Sequence, residues 1–492
     1  MVRVLFVWPN LYREVAFNHG IASLSAVLRE AGHETALINV NEKLGPIPTD
    51  DQLLLRVNAE KPALIAFPAD TQQFPYAAEM AAKMRRAFPH VPILVGGAYA
   101  TIAPRLALET GVFDYACVGE GEQALVELVR AVESGRETAE ISNIWARTSG
   151  TIRANAVRPF APLDRLPPAD YRVFEVERML EANSGRMGIT VSRGCPAGAV
   201  GCFDNSVLAL YRSDTGLGAK ELKYFRHQPT DRVIDEVKFL AETYRGIKTF
   251  VFDDGVLTFS KRFVKDLARK YKAATDIPFA CNSHPGFFDA DTARVLADGG
   301  CADVSFAVGS GSSRVRTELL CHSIGDADIA AAFAAAAGAG LRTSASVLFG
   351  APGETPTDLG ATVRFLAKLA PGRFSWAPFV PYPTGVSDLE RLRARPAASC
   401  EPILDFGGEQ NLKVRKLLCA CPWYVNALSA DTQVRRLYSR LTGVIDNLDD
   451  KAFDEFRTGM ARFDDLMHQV LAKAGRPHYS MRYNDASAVT SA

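Results

Sequence analysis

Short apolar runs and amphipathic stretches alternate along residues 1–140. Residues 2–8 form a run of strand length that is apolar but for Arg3, residues 21–31 show helical periodicity, and residues 35–40 are strand-like again before a loop holding Pro46 and Pro48. The pattern repeats with apolar runs at 63–68 and 93–97 around a helical stretch at 76–88, and a further run at 115–118 enters Gly119-Glu120-Gly121-Glu122. Strands that alternate with helices predict a parallel sheet covered on both faces. Ligands of such folds sit beyond the carboxyl ends of the strands, which selects Pro9, Asn10, Ala69, Asp70, Thr71, Gly96, Gly97, Gly119, Glu120, Gly121 and Glu122 as one candidate edge. Glycines there let the backbone approach a flat ligand closely.

Pro159, Pro162, Pro167 and Pro168 suit an extended crossing, and residues 141–184 read as a linker. Residues 188–192 form a short strand leading to Cys195. Beyond it, strands at 249–252, 279–282, 304–308, 344–349 and 374–378, with helical stretches at 231–244 and 261–273, predict a partial (β/α) barrel over 185–385 with its chemistry at the strand carboxyl ends. Residues 386–492 are mainly helical in pattern, most clearly at 431–444 and 449–471, and 484–492 read as a frayed end. The class is α/β: a Rossmann- or flavodoxin-like domain over 1–140, a linker, a partial barrel and a helical C-terminal region.

Length and charge narrow the class of protein. At roughly 150 residues per domain, the 492 residues suit about three domains. The 56 Lys and Arg balance the 56 Asp and Glu, so no global field attracts nucleic acid or an anionic membrane. No apolar run approaches the ~20 residues that span a bilayer, and the opening run is too short and wrongly flanked for a signal peptide, so a cytoplasmic location is expected. Nine cysteines, an odd number spread over a long chain, do not read as a secreted disulfide framework.

The stretch from Ser192-Arg193-Gly194-Cys195 to Cys202 resembles the cluster loop of the radical SAM superfamily. In that superfamily three cysteines spaced C-x3-C-x2-C hold a [4Fe-4S] cluster whose open iron takes S-adenosylmethionine. Cys195 and Cys202 stand at the first and third positions, with Ala199 at the middle one, and two thiolates hold such a cluster far less securely than a full set. Phe252-Asp253-Asp254 resembles the family's F-x-D-D strand end, and Phe349 to Thr355 resembles its G-x-P-G-E-T segment. The resemblance implies that Asp253, Asp254, Asn282 and Ser310 bind S-adenosylmethionine. On the residues alone, Asp253 and Asp254 also read as caps of the segment after them, and Glu354 as a helix cap following the Pro352-Gly353 bend.

Residues 1–140 resemble the cobalamin-binding domain that precedes many radical SAM domains. The resemblance rests on the stretch from His19-Gly20 to Gly32-His33, on Val95-Gly96-Gly97-Ala98, and on Gly119 to Glu122. It implies cobalamin across the strand-end edge, with His19 and Gly20 beside it. No D-x-H-x-x-G motif is present, which leaves the lower face of cobalt to another side chain, to water or to nothing. His19 lies in a loop that could face the ring, and a neutral surface or capping role is its plainer reading. On the residues alone, a flavodoxin-like module with a different pocket remains the alternative.

A second departure accompanies Ala199. Phe306 to Ser312 resembles a family segment F-G-x-E-S-G-S, and Gly309 stands where that segment has glutamate. Two departures in cofactor-holding segments favour natural degeneration over one engineered change at Ala199. Cys281, Cys301 and Cys321 read first as packing residues; Cys419 and Cys421 are the pair whose spacing best suits thiolates lent from outside. Zinc or a redox disulfide at Cys195 and Cys202 has no supporting motif. Trp423, Tyr424 and Tyr438 read as core before pocket.

Two classes of function follow. One is an enzyme of the cobalamin-dependent radical SAM group, acting by methyl transfer, rearrangement or cyclisation on a small molecule in a natural-product or pigment pathway, including a non-radical cobalamin route if the iron site is incomplete. The other is a non-catalytic homologue that binds cobalamin and supports a partner enzyme.

Overall fold

A computed structural model describes residues 1–378 except 12–14, 72, 137, 139, 196–202, 321, 350–353 and 355. Ala199, Cys202, Cys321, Cys419, Cys421, Trp423, Tyr424, Tyr438 and the helical C-terminal region expected over 386–492 lie outside the described residues. The chain divides into two compact units, residues 1–251 and a second that begins at Phe252.

The first unit is built on a seven-stranded sheet. Its strands are β1 (Arg3–Trp8), β2 (Glu34–Asn39), β3 (Leu64–Pro68), β4 (Ile93–Gly96), β5 (Tyr115–Cys117), β6 (Ile144–Thr148) and β7 (Thr151–Arg153), in the order β2-β1-β3-β4-β5-β6-β7. β2 to β5 pair in parallel through β1, with Phe6 opposite both Leu37 and Ala66. Val4, Leu5, Phe6 and Val7 are all buried, as a strand covered on both faces requires. The reversal of strand order around β1 brings the loops after β1 and β3 together at one edge.

Local chemistry explains the helices. In His19–Glu30 the Asn18 side chain accepts from the Ile21 N–H at 3.0 Å, and Ile21, Ala22, Ser25, Ala26 and Leu28 line the buried face. Helix Asp50–Glu60 was not read from the apolar pattern; a reciprocal capping box between Thr49 and Gln52 starts it. Residues 144–153, within the expected linker, instead form the antiparallel hairpin β6–β7 on the edge of the sheet. Its two turn residues, Ser149 and Gly150, have φ of 49° and 81°, the handedness that two-residue hairpin turns favour.

The core of this unit continues beyond residue 185, where the sequence pattern changes. β8 (Arg186–Ile189) neighbours β11 (Thr249–Phe252), while β9 (Ser192–Arg193) and β10 (Arg226–His227) form a short antiparallel ribbon. Helix Phe203–Thr215 then places Val207, Leu210 and Tyr211 in the same apolar cluster as Leu5, Val7, Phe67 and Phe113. Each such fully buried side chain is worth about 1.5–3 kcal/mol.

In the second unit β12 (Phe279–Ser283), β13 (Cys301–Gly309), β14 (Arg342–Phe349) and β15 (Arg373–Pro378) pair in parallel in chain order, with helices between them. This is the strand-by-strand succession of a (β/α) barrel. Helix Lys261–Ala274 buries Val264, Leu267, Ala268 and Tyr271, and the Tyr271 ring meets Phe252 and Phe279 edge-on at 5.9 and 4.8 Å. Among the described residues no helix is long and apolar enough to cross a membrane.

Candidate functional site

The parallel pairing of β1, β3, β4 and β5 carries Pro9, Asn10, Ala69, Asp70, Thr71, Gly96, Gly97 and Gly119 to Glu122 to the same edge of the first sheet. Two different environments share that edge. At the ends of β1, β2 and β3 several buried polar atoms have no hydrogen-bond partner among the described residues: Asn10 Nδ2, both amide atoms of Asn39, Thr71 Oγ1 and Gln73 Oε1. Asn10 is only 1% exposed, and its carbonyl accepts from Asn41 Nδ2 at 2.7 Å. Gln73 uses its other amide atom on the Leu11 carbonyl at 3.2 Å. A buried amide or hydroxyl left unpaired costs about 1–3 kcal/mol, so several together form a set that a polar ligand would complete.

Gly97 stands beside them. Its φ is 87°, and a Cβ there would lie 2.9 Å from the Ala69 carbonyl oxygen. The Ala69 N–H donates to the Gly96 carbonyl at 2.9 Å, and the Ala69 carbonyl accepts from the Tyr99 N–H at 3.0 Å, so the ends of β3 and β4 are stitched too closely for a side chain. Asp70 serves helix Phe74–Ala87, accepting the Gln73 N–H at 3.0 Å. His19 and Gly20 begin their helix, and His19 with Ser23, Tyr171, Ser192, Arg193 and Gln228 borders a cavity of about 40 Å³, room for water and not for a cofactor.

The Gly119-to-Glu122 corner is saturated. Gly119 has φ of 76°, and a Cβ there would run into the Tyr211 hydroxyl at 2.2 Å. That hydroxyl accepts from the Glu120 N–H at 2.9 Å, and the Tyr211 ring stacks on Phe160 at 3.7 Å. Glu122, 7% exposed, accepts from Arg193 Nη2 at 2.6 Å and from Ser23 Oγ at 2.8 Å. Glu120 pairs with Arg193 at 3.2 Å and with Arg226. The two arginines face each other across the β9–β10 ribbon, a repulsive arrangement that the two glutamates neutralise. Burial pulls the Glu122 carboxyl upward, and the Arg193 charge, with its hydrogen bond and that of Ser23, outweighs this and holds it below the usual value of 4.5. Cys117, packed under Gly121, has its thiol pushed up to about 12 by burial and is inert.

Arg193 is two residues ahead of half-buried Cys195, and Gly194 between them has φ of 84° with no room for a Cβ beside the Tyr224 carbonyl. The acidic corner thus fixes the root of the cysteine loop. Arg193, Arg226, Tyr211 and Phe160 were not selected from sequence; the paired acids of Gly119 to Glu122 were the available signal, since buried carboxylates need cations.

In the second unit Asp254 is buried and follows β11, as Asp253 does. At the end of β12, Asn282 Nδ2 is buried without a partner among the described residues, and Ser283 Oγ lies 2.5 Å from Thr258 Oγ1. Ser310 is fully buried, its hydroxyl 2.9 Å from Thr362 Oγ1, while Ser312 Oγ donates to Asp358 at 2.7 Å. This joins the Ser310-Gly311-Ser312 segment to helix Pro356–Leu369. Gly309 has φ of 73°, a conformation in which a glutamate would be strained, so the residue standing there reflects backbone as well as side chain. Among the described residues no group of three or more His, Cys, Asp or Glu is arranged to hold a metal ion.

A doubly wound sheet followed by barrel-order parallel strands defines a two-module protein with a cysteine loop between its patterns. The chain belongs to the radical SAM superfamily and carries a B12-binding domain: the model of the B12 binding domain matches residues 12–129, and that of the Radical SAM superfamily matches residues 189–366. It is 27% identical over 368 residues to the uncharacterized methyltransferase PH0819 of Pyrococcus horikoshii, covering 74% of this chain and 76% of that one. It is 24% identical over 405 residues to the anaerobic magnesium-protoporphyrin IX monomethyl ester cyclase of Rubrivivax gelatinosus, covering 79% and 69%. Among solved structures, the radical S-adenosylmethionine methyltransferase TsrM from Kitasatospora setae, with tryptophan and a SAM analogue bound, superposes with a TM-score of 0.60 at 19% identity, covering 78% of this chain and 75% of that one. The cobalamin-dependent radical enzyme OxsB, with aqua-cobalamin and S-adenosylmethionine bound, gives 0.60 at 13% identity, covering 99% and 77%.

Proposed function

We propose that this protein is a cobalamin-binding radical SAM-type enzyme that transfers a methyl group to, or rearranges or cyclises, a small-molecule substrate in a biosynthetic pathway. The observation that carries the reading is the set of buried, unpartnered polar atoms on Asn10, Asn39, Thr71 and Gln73 beside the side-chain-free approach at Gly97. These residues fit a large ligand edged with amides, which both donate and accept. Relatives described as methyltransferases and as a cyclase support the reaction class.

Bound cobalamin supplies a carrier for a methyl group or an electron. The chain's own residues do the rest: Asn10, Asn39, Thr71 and Gln73 hold the ligand's polar rim, Gly97 admits it to the backbone, and Arg193 on Glu120 and Glu122 fixes where the Cys195 loop starts. Asn282, with its unpartnered amide nitrogen, fits a polar group of S-adenosylmethionine. The loop's donor set, Cys195 and Cys202 with Ala199 between, does not fit a cluster held by three thiolates.

Anaerobic reconstitution with iron, sulfide and hydroxocobalamin, followed by metal analysis, tests this. About one cobalt per chain with negligible iron is the expected result. A chain that takes up no cobalt contradicts cobalamin binding, and about four irons would show that a ligand from elsewhere completes a cluster.

A further inference from the structure

Two half-buried histidines meet in the second unit. His284 Nε2 lies 2.6 Å from His322 Nε2, with the rings nearly perpendicular. His284 opens the tight turn Pro285–Phe287 that follows β12, and its Nδ1 accepts the Gly286 backbone N–H at 3.0 Å. Two further contacts shape that turn: the Phe287 N–H donates to the His284 carbonyl at 2.9 Å, and the Phe287 ring meets Phe259 edge-on at 5.2 Å.

These contacts leave one arrangement of protons. A ring nitrogen that accepts carries no proton, so the proton of a neutral His284 sits on Nε2. It is donated to His322 Nε2, which leaves the His322 proton on Nδ1. Each basic nitrogen of the pair is therefore already in use, and an added proton must displace a hydrogen bond. On His322 Nε2 it would set two N–H groups against each other across 2.6 Å. On His284 Nδ1 it costs only the Gly286 bond and gives the bond between the rings a charged donor, the stronger kind.

The charges around the pair keep it neutral. Arg316, in the π-helical turn Val315–Leu319, opposes a positive charge on His322, and its own guanidinium is held by the Ser310 carbonyl at 2.7 Å and by Asp326. Helix Asp326–Gly338 packs on the 285–287 turn with Asp326 and Asp328 as its charged residues. The end of β13, residues 304–309, and the turn Leu257–Phe259 after β11 carry no charge. Asp289 is committed to Lys261 and to the Thr292 N–H at 2.9 Å. Burial, then the adjoining His322, brings His284 down to about 4, and burial also lowers His322.

We propose that His284 and His322 form an acid-sensitive clasp: the neutral pair holds the turn after β12 closed, and a proton taken up by His284 Nδ1 frees the Gly286 N–H and opens that turn. His322 is a positioning residue, because its acceptance of the Nε2 proton keeps the Nδ1 lone pair of His284 on Gly286. Since the folded-state pKa of His284 lies below 6.5, the clasp is fully engaged above that value and is lost as pH falls towards 4.

The test combines nitrogen-15 NMR of the full chain labelled at its eight histidines with hydrogen exchange of the 286–288 amides, read by mass spectrometry at labelling times scaled to the intrinsic rate at each pH. The signals of His284 and His322 are assigned by their loss in His284→Phe and His322→Phe. In wild type at about pH 7.5 the two rings should be opposite tautomers, His284 protonated on Nε2 and His322 on Nδ1. Protection of the turn should fall at least about tenfold between about pH 7 and pH 5 while that of β3 holds. His284→Phe should exchange rapidly at both pH values. His322→Phe should lose protection already at the higher pH, and His322→Gln, whose side-chain oxygen can accept the His284 proton, should restore most of it. Circular dichroism and the thermal midpoint establish that each variant is folded. The same tautomer on both rings of the wild type would overturn the proposal, as would wild-type protection that does not change with pH or full protection in His322→Phe.

Discussion

One edge of the first sheet holds two corners of opposite character. Where β1, β2 and β3 end, Asn10, Asn39, Thr71 and Gln73 bury polar atoms with nothing to bond. Where β5 ends, Glu120 and Glu122 are met by two arginines, a serine and a tyrosine hydroxyl that accepts the Glu120 N–H, and the space beside Gly119 is filled by Tyr211. Both corners share the sequence signature of a ligand edge, glycine and polar residues just past an apolar run. The distinction lies in satisfaction: the unsatisfied corner is the one we propose for a ligand, and the satisfied one holds the protein together.

The largest effect is expected at the satisfied corner. Arg193→Ala leaves Glu122 buried without its cation and should destabilise the chain by about 3 kcal/mol, near the low end for a broken buried pair because Arg193 keeps a quarter of its side chain exposed. Urea unfolding monitored by circular dichroism measures it. A loss below about 0.5 kcal/mol would place the pair with ordinary surface ion pairs.

Next comes Gly97→Ala, which places a Cβ 2.9 Å from the Ala69 carbonyl at a φ of 87°. About 1–3 kcal/mol of destabilisation should accompany weaker cobalamin binding, the first from strain and the second from lost close approach. An unchanged urea midpoint would mean that the β3–β4 junction yields easily.

A smaller effect concerns pH. Because the folded-state pKa of Glu122 lies below 4.5, its contribution is fully present above that value and is lost as pH falls below it, where the unfolded chain takes up a proton that the folded chain still refuses. Glu122→Gln should therefore flatten the loss of stability between about pH 5 and pH 3. An identical acid slope in the two proteins would mean that other carboxylates set it.

Much of the fold was legible in the chain. Apolar runs at 2–8, 63–68 and 93–97 became β1, β3 and β4 because strands buried on both faces must be continuously apolar. Helix Asp50–Glu60 escaped the pattern because only Leu53 and Val57 are buried on it, too few to show periodicity, although its capping box was present at Thr49. β6 and β7 were hidden in a linker because strands three to five residues long carry little pattern. In the candidate site, strand order brought the selected loops to one edge, but which polar atoms are paired depends on Arg193, Arg226 and Tyr211, which arrive from 71 to 106 residues away. The His284 and His322 pair was invisible for the same reason, since 38 residues separate two histidines with no motif between them.

The most direct test is an absorbance titration of hydroxocobalamin into wild type and Asn10→Leu. Replacing the Asn10 side chain, whose buried Nδ2 has no partner among the described residues, by an apolar group of similar size should leave the unliganded protein within about 1 kcal/mol of wild type while weakening cobalamin about tenfold. Equal cobalamin affinity in the two proteins, or a variant as destabilised as Arg193→Ala, would contradict the assignment of this corner to a ligand.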